Sequence, residues 1–318
     1  MMTEEKKRLI IIDSNSIIHR AFHALPLLTT KKGEKVSAIY GFLLVFLKAV
    51  REFQPDYIAA AFDLPGPTFR HKQFREYKAK RPLTPEELCQ QIPKVKEVLR
   101  AFNVPIFERE GFEADDIIGT IVEKSESKTE NIILSGDLDS LQLVSPKTKV
   151  YSLRKGVKDT VLYDEKSVKE KYQGLEPWQL IDFKALRGDP SDNVPGVPGI
   201  GEKTALKLIR EFGSLENLYE VIQGAKSFRG GKFQIPEQLK IKLLDNKEKA
   251  FLSKSLVRLV KNIPINFNLK KCQWQKYDKR KVIEILKNFE FYSLIKRLSE
   301  ENSPTQPLEV GGKTKTLF

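Results

Sequence analysis

The sequence predicts an α/β fold with a mostly parallel central sheet, and three observations carry that reading. Short apolar runs recur through the first half of the chain: RLIIID, DYIAAAF, VPIFE, NIILSGD and KVYSL. Helical stretches separate them, among them SAIYGFLLVFLKAVREF, which ends before Pro55, and PEELCQQIPKVKEVLRAF. Apolar strands alternating with helices describe a sheet covered on both faces. The third observation is where the strands end. RLIIID delivers Asp13, DYIAAAFD delivers Asp63, and NIILSGDLD delivers Asp137 and Asp139. Ligands of parallel sheets sit beyond the carboxyl ends of the strands, so these acids are expected along one edge.

A second acidic group lies between them. GFEADD packs Glu113, Asp115 and Asp116 into four positions, and Ile117, Ile118, Ile121 and Val122 follow at helical spacing. The acids therefore fall in the first turn of a half-buried helix. Helix-end chemistry explains part of this, because the dipole favours carboxylates at an N-terminus. It does not explain the strand-end acids converging beside them. Crowded like charge is costly unless cations neutralise it. The loop RGDPSDN adds Asp189 and Asp192, which makes nine carboxylates. Oxygen donors without His or Cys point to Mg²⁺ or Mn²⁺ rather than zinc. So many suit two ions about 4 Å apart, one activating water and one stabilising the leaving oxygen of a phosphodiester.

Lys and Arg number 55 against 42 Asp and Glu, a net charge of +13. Solubility alone accounts for many basic proteins. Here the strand ends are acidic, so the positive excess lies elsewhere, as in a basic body holding a polyanion against an acidic pocket. At 318 residues the chain has room for a large domain and a smaller one. We expect a core over 1–175, a helical region over 176–301, and a flexible tail over 302–318, where Pro and Gly replace periodicity. No apolar run reaches the roughly 18–20 residues of a membrane span. The N-terminus passes directly into a strand rather than reading as a secretory signal. Cys89 and Cys272 are isolated and without ligand spacing, as thiols of a reducing cytoplasm are.

Two further segments suit nucleic acid. In the helical region, PWQLIDFKALRG begins at Pro177, a favoured first helical position. Gly199, Ile200 and Gly201 then open the helix EKTALKLIREF, capped by Gly213. Unpaired amides and a positive dipole end face a phosphate there. Lys203 adds charge in a first turn where the dipole disfavours it, which fits an anionic partner. Flanked by two amphipathic helices, the loop reads as a helix-hairpin-helix that grips a duplex backbone without reading bases. Directly after Asp63, FRHKQFREYKAKRP interleaves Arg70, Lys72, Arg75, Lys78, Lys80 and Arg81 with Phe69, Phe74 and Tyr77. Charge for phosphates and ring faces for bases are what a single strand needs, although a solvated cationic helix would look similar.

In this order and with these residues, the chain resembles the 5′-nuclease family. That family comprises flap endonucleases and the N-terminal 5′→3′ exonuclease domain of bacterial DNA polymerase I. DSNSIIHRAFHAL is similar to the first family motif, which makes Asp13 a ligand and Arg20 a phosphate contact. FDLPGPTFRHKQFREYKAKRP is similar to the second, with Asp63, Arg70 and the start of a helical arch over about 69–100. Tyr77, Lys78 and Arg81 match arch positions near the 5′ strand and scissile phosphate. GFEADD, SGDLDSLQL and GDPSDNVPGVPGIGEKTA supply the remaining acids and the hairpin, whose loop carbonyls are expected to take K⁺. The resemblance covers about residues 8 to 300. It implies a PIN-like fold, two Mg²⁺ ions replaceable by Mn²⁺, and a DNA partner with 5′ flaps, nicks or 5′ ends. Asp13, Asp63, Glu113 and Asp115 are expected around one ion and Asp137, Asp139 and Asp192 around the other. Asp116 and Asp189 are expected nearby or acting through water, and Gly199, Gly201 and Lys203 on the duplex.

The chain stops where a DNA polymerase I would continue, so it reads as a stand-alone nuclease or an excised domain, acting as a monomer in a bacterial cytoplasm. Two other classes stay open: a DNA-binding protein of this fold with little catalysis, and a PIN-like ribonuclease. The latter usually lacks the hairpin. The terminal Leu317 and Phe318 resemble sliding-clamp peptides, with Thr314 where such peptides usually begin with Gln.

Overall fold

The computed structural model describes residues 6–225, 235–274 and 277–300. Strand β1 (Lys7–Asp13) leads into helices α1 (Ser14–Ala24) and α2 (Ser37–Phe53). Next come β2 (Tyr57–Ala61), α3 (Phe69–Gln73), α4 (Glu86–Cys89), α5 (Ile92–Ala101) and β3 (Ile106–Phe107). The first half closes with α6 (Ala114–Lys124), β4 (Thr129–Ser135), β5 (Thr148–Leu153), β6 (Thr160–Tyr163) and α7 (Glu165–Lys171). Helices α8 (Leu180–Arg187), α9 (Glu202–Phe212), α10 (Leu215–Ile222) and α11 (Glu237–Asp245) follow. The described chain then ends through α12 (Lys247–Val257), α13 (Lys279–Asn288) and α14 (Tyr292–Glu300).

Strands β3, β2, β1, β4 and β5 lie side by side in that order and run parallel, and β6 pairs antiparallel on the far edge. All five expected strands are present. The sixth was not legible, because TVLY between Asp159 and Asp164 is too short a run to declare itself. The sheet changes direction of growth at β1: β2 and β3 build one side, β4 and β5 the other. Such a switch point opens a crevice beyond the strand ends. Asp13 is level with Ala61 and Ile12 with Leu134, so Asp63 and Asp137 both emerge at that crevice.

Side chains along β1 alternate between two cores. Ile10 and Ile12 pack with Phe42, Phe46 and Val98, while Leu9 and Ile11 pack with Ile117, Leu186 and Leu208. All four are sealed from solvent, each burial stabilising by about 1.5–3 kcal/mol. Trp274, Leu286 and Leu294 join the first core, so α13 and α14 return to the face covered by α2 and α5. Helices α8 to α10 cover the opposite face. The region expected over 176–301 therefore serves both sides of the sheet.

The helical arch expected over about 69–100 is not a continuous helix. Helix α3 has five residues, residues 75–80 run through turns, and residues 82–85 have no regular structure before α4. Pro82 and Pro85 fall in that stretch, where each removes a backbone donor. PEELCQQIPKVKEVLRAF is two helices rather than one. Pro93 cannot extend α4 but fits the first turn of α5. The turns bring the segment down onto the sheet edge, where Lys78, at φ 56°, donates its amide to the Asp192 carbonyl at 2.9 Å. Among the described residues no helix is long and apolar enough to cross a membrane. The expected tail, with its clamp-like Leu317 and Phe318, lies outside the described residues.

Candidate active site

Asp13, Asp63, Glu113, Asp115, Asp137, Asp139 and Asp192 line one cleft of about 440 Å³ at the crevice beside β1. Each is set by its own local structure. Asp13 caps α1, accepting the Ser16 amide at 3.3 Å on Oδ1 and the Ser135 hydroxyl at 2.6 Å on Oδ2. Asp63 accepts the Ala114 amide at 2.7 Å and so ties β2 to the start of α6. Asp137 accepts the Asp139 amide at 3.0 Å. Gly136 before it allows close passage, since a Cβ there would stand 2.8 Å from Ser16 Oγ. Asp192 hangs from a tight loop in which Asp189 and Val194 exchange backbone hydrogen bonds of 2.8 and 3.0 Å. Gly196 is required in that loop, because a Cβ would lie 2.3 Å from the Gly188 nitrogen.

Basic groups face these acids. Lys78 Nζ is 2.8 Å from Glu113 Oε1 and 3.8 Å from Asp192 Oδ2, and Arg81 pairs with Asp192 Oδ1. One side of α1 supplies His19, Arg20 and His23 to the same cleft. Arg20 is steadied by donating to the Gly136 carbonyl at 2.9 Å.

The acids resist being ionised together. Burial pushes Asp13 up to about 7, partly opposed by Ser135, with Asp63 and Asp137 adding repulsion. Burial likewise raises Asp139 to about 7 against the pull of Lys184. Asp115 is held well above the carboxylate range by burial and by Asp13, Asp137 and Asp139. Its Oδ1 is sealed from solvent and has no hydrogen-bond partner. Among the described residues no three His, Cys, Asp or Glu side chains are gathered closely enough to hold a metal ion. Lys78, Arg81 and Lys184 stand among the acids instead. The donor set still fits a hard cation. It is all oxygen, it includes an orphaned carboxylate atom, and its repulsion is relieved only by positive charge.

Four expected site residues do not line the cleft itself but stand directly behind its acids. Asp116, expected near the metals, is fully buried and accepts from Arg70 Nη1 at 2.7 Å and Nη2 at 2.8 Å. Arg70, expected to act in catalysis, is 1% exposed and also donates to the Leu256 and Arg258 carbonyls at 2.7 and 3.0 Å. With its guanidinium enclosed, it joins α3, α6 and the C-terminal end of α12. Tyr77, expected on DNA, is buried, its hydroxyl lying 3.2 Å from Glu113 and 3.1 Å from Asp192. Asp189 is off the main cleft, its oxygens engaged by Lys184 at 2.8 Å and by Ser191 Oγ at 2.6 Å. Gly199, Gly201 and Lys203 are exposed, with Gly201 capping α9. Gly199 is in the left-handed region at φ 76°, and a Cβ there would meet the Lys242 ammonium at 2.7 Å. Lys242, His19, His23 and Lys184 had no signal in the sequence. Lys184 lies in the last turn of α8, where a lysine is ordinary.

Comparison with known proteins places the arrangement. Residues 8–173 match the family model for the 5′-3′ exonuclease N-terminal resolvase-like domain, and residues 175–280 match that for the 5′-3′ exonuclease C-terminal SAM fold. DNA polymerase I of Bacillus subtilis is 41% identical over 303 residues, covering 95% of this chain and 33% of that protein. DNA polymerase I of Caldicellulosiruptor bescii is 44% identical over 294 residues, covering 92% and 33%. The chain thus spans about a third of the length of the curated relatives it matches. In fold it is similar to T5 5′-exonuclease, solved with divalent metal ions (zinc): TM-score 0.63, 21% identity, 91% of this chain and 98% of that one. It is also similar to the catalytic core of Rad2 in complex with DNA substrate: TM-score 0.55, 20% identity, 93% and 90%. With both family halves matched in sequence and in order, the chain belongs to the 5′-3′ exonuclease family of nucleases.

Proposed function

We propose that this chain is a structure-specific 5′-nuclease. It hydrolyses DNA phosphodiesters at 5′ flaps, nicks and 5′ ends with two divalent cations, Mg²⁺ or in its place Mn²⁺. The observation that carries this is the cleft at β1, where seven acids from separate chain segments face Arg20, Lys78 and Arg81. Asp13, Asp63, Glu113 and Asp115 would hold one ion, and Asp137, Asp139 and Asp192 the other. Bound there, the cations supply a nucleophilic water at neutral pH and charge stabilisation at the leaving oxygen.

The chain's own groups do the rest. Lys78 and Arg81, kept at the cleft by Glu113 and Asp192, favour the phosphate as negative charge grows on it. Arg20, fixed against Gly136, orients the strand. Exposed Gly199, Gly201 and Lys203 grip the duplex backbone, and K⁺ is expected at the loop carbonyls. The chain acts as a monomer in a bacterial cytoplasm, in replication and repair. The relatives' DNA polymerase I identity and the DNA bound to Rad2 support the reading. The test is a 5′-labelled flap, a nick and a plain duplex, each incubated with Mg²⁺ and with chelator. Cutting confined to Mg²⁺ and strongest on the flap is expected. Equal cutting with chelator, or an untouched flap, contradicts it.

A further inference from the structure

The loop between α8 and α9 carries parts of both working surfaces. Asp192 of the cleft lies near its start, and Gly199 and Gly201 of the hairpin lie at its end. Between them the loop is pinned twice. The Val197 amide donates to the Leu186 carbonyl at 2.8 Å, and the Gly196 amide donates to Ser253 Oγ at 2.9 Å. Ser253 is sealed from solvent on α12 and does not line the cleft. Over the following turn the same helix holds the surroundings of the acids. Lys254 contacts Asp182 of α8 and stands 2.6 Å from Glu216 of α10. The Leu256 carbonyl accepts from Arg70 Nε at 2.7 Å, and the Val257 carbonyl accepts from Gln142 Nε2 at 3.0 Å. Gln142 belongs to the 3₁₀ turn Asp139–Leu143, which begins at a cleft acid.

We propose that Ser253 is a positioning residue that sets the register between the duplex grip and the acid cleft, and so which phosphodiester is cut. The inference rests on the nuclease reading above. A grip on backbone phosphates carries no sequence information, so the bond to be cut must be chosen by distance. Successive phosphates of one strand are about 3.4 Å apart along the duplex axis. A hairpin that slid by that much relative to the acids would present the neighbouring bond instead. Helix α12 opposes such sliding. It holds the loop through Ser253 and the Asp139 turn through Val257, points about 6 Å apart on one rod. Gly196 is buried together with its partner. Removing the hydroxyl therefore leaves that amide without an acceptor and frees the loop to shift.

The test is single-turnover cutting of a 5′-labelled flap with Mg²⁺ by the full chain, Ser253→Ala and Ser253→Cys, with hydroxyl-radical footprints taken in chelator. The parent should cut mainly at one bond and protect a sharp-edged stretch of duplex. Ser253→Ala should bind duplex like the parent and cut the parent's bond about ten- to a hundredfold more slowly. Adjacent bonds should take up a measurable share of its cuts, and its footprint should lose the sharp edge. Ser253→Cys, whose sulfur is a weaker acceptor, should fall between the two. If Ser253→Ala does not fold, Ser253→Cys decides by the same shift. A folded variant that keeps the parent's cut positions and footprint overturns the proposal even if it is slower, because a merely structural role would lower the rate without moving the cut. Failure of both variants to fold makes Ser253 a stability residue and also overturns it. If the parent protects duplex but does not cut, the nuclease reading fails and the footprint alone judges Ser253. A parent that neither cuts nor protects overturns both.

Discussion

Asp115 and Asp116 are consecutive residues in the first turn of α6, and they end in opposite environments. Asp116 has two Arg70 nitrogens at 2.7 and 2.8 Å, the Val260 amide at 2.9 Å and the Glu113 amide at 3.2 Å. Asp115 points into the acid cleft with one oxygen sealed and unpartnered, and its proton is held well above the ordinary range. About 100° of helical rotation separates the two. One buried carboxylate has all its compensation supplied by the fold. The other has its compensation left to be brought in. A buried carboxylate with complete partners is architecture, and a half-buried one without them is a site.

The largest expected effect is on chemistry. Asp139→Asn removes an acid of the cleft, so cleavage of a 5′ flap should fall by about three orders of magnitude or more, roughly 4 kcal/mol of transition-state stabilisation. Melting temperature should change little. Cleavage within a few-fold of the parent, measured under single-turnover conditions, would place Asp139 with Asp116 rather than with Asp115. Next comes Asp116→Ala, which strands Arg70 in a buried position. We expect a loss of about 3–5 kcal/mol of stability, read by urea unfolding. A loss below about 1 kcal/mol would mean that the Arg70 junction does not hold the fold.

Smaller effects sharpen the boundary between the two regions. Lys78→Ala combined with Arg81→Ala should slow single-turnover cutting by about ten- to a hundredfold while duplex affinity falls less. Equal losses would make both residues mere docking groups. Tyr77→Phe deletes only the hydroxyl between Glu113 and Asp192, and about 1 kcal/mol of stability should follow. Smallest of all, Lys203→Ala should flatten the slope of log K against log[salt] by about 0.9, one phosphate contact, with cleavage positions unchanged. A shifted cleavage site would contradict a backbone grip.

Much of this was legible because strands are directional. Once β1, β2 and β4 were read as parallel, Asp13, Asp63 and Asp137 had to emerge at one edge, and they do. Residue spacing tells which segments converge, but not which way a side chain turns after a loop. Arg70 and Tyr77 therefore looked like contacts for DNA, whereas they turn inward to Asp116 and Glu113. The segment expected as an arch is divided into short helices for a local reason, with Pro82, Pro85 and Pro93 punctuating it. Lys184 was invisible because nothing about a lysine at a helix end is out of place, and only the tertiary approach of Asp139 gives it meaning.

The division between Asp115 and Asp116 is tested most directly by one paired experiment: Mn²⁺ binding and thermal melting measured on Asp115→Asn and Asp116→Asn side by side. Asp115→Asn should lose most Mn²⁺ affinity and keep or raise its melting temperature, because a source of repulsion has gone. Asp116→Asn should melt lower and, below its transition, bind Mn²⁺ like the parent. The reverse assignment, with Asp116→Asn losing the metal and Asp115→Asn losing the fold, would contradict the account.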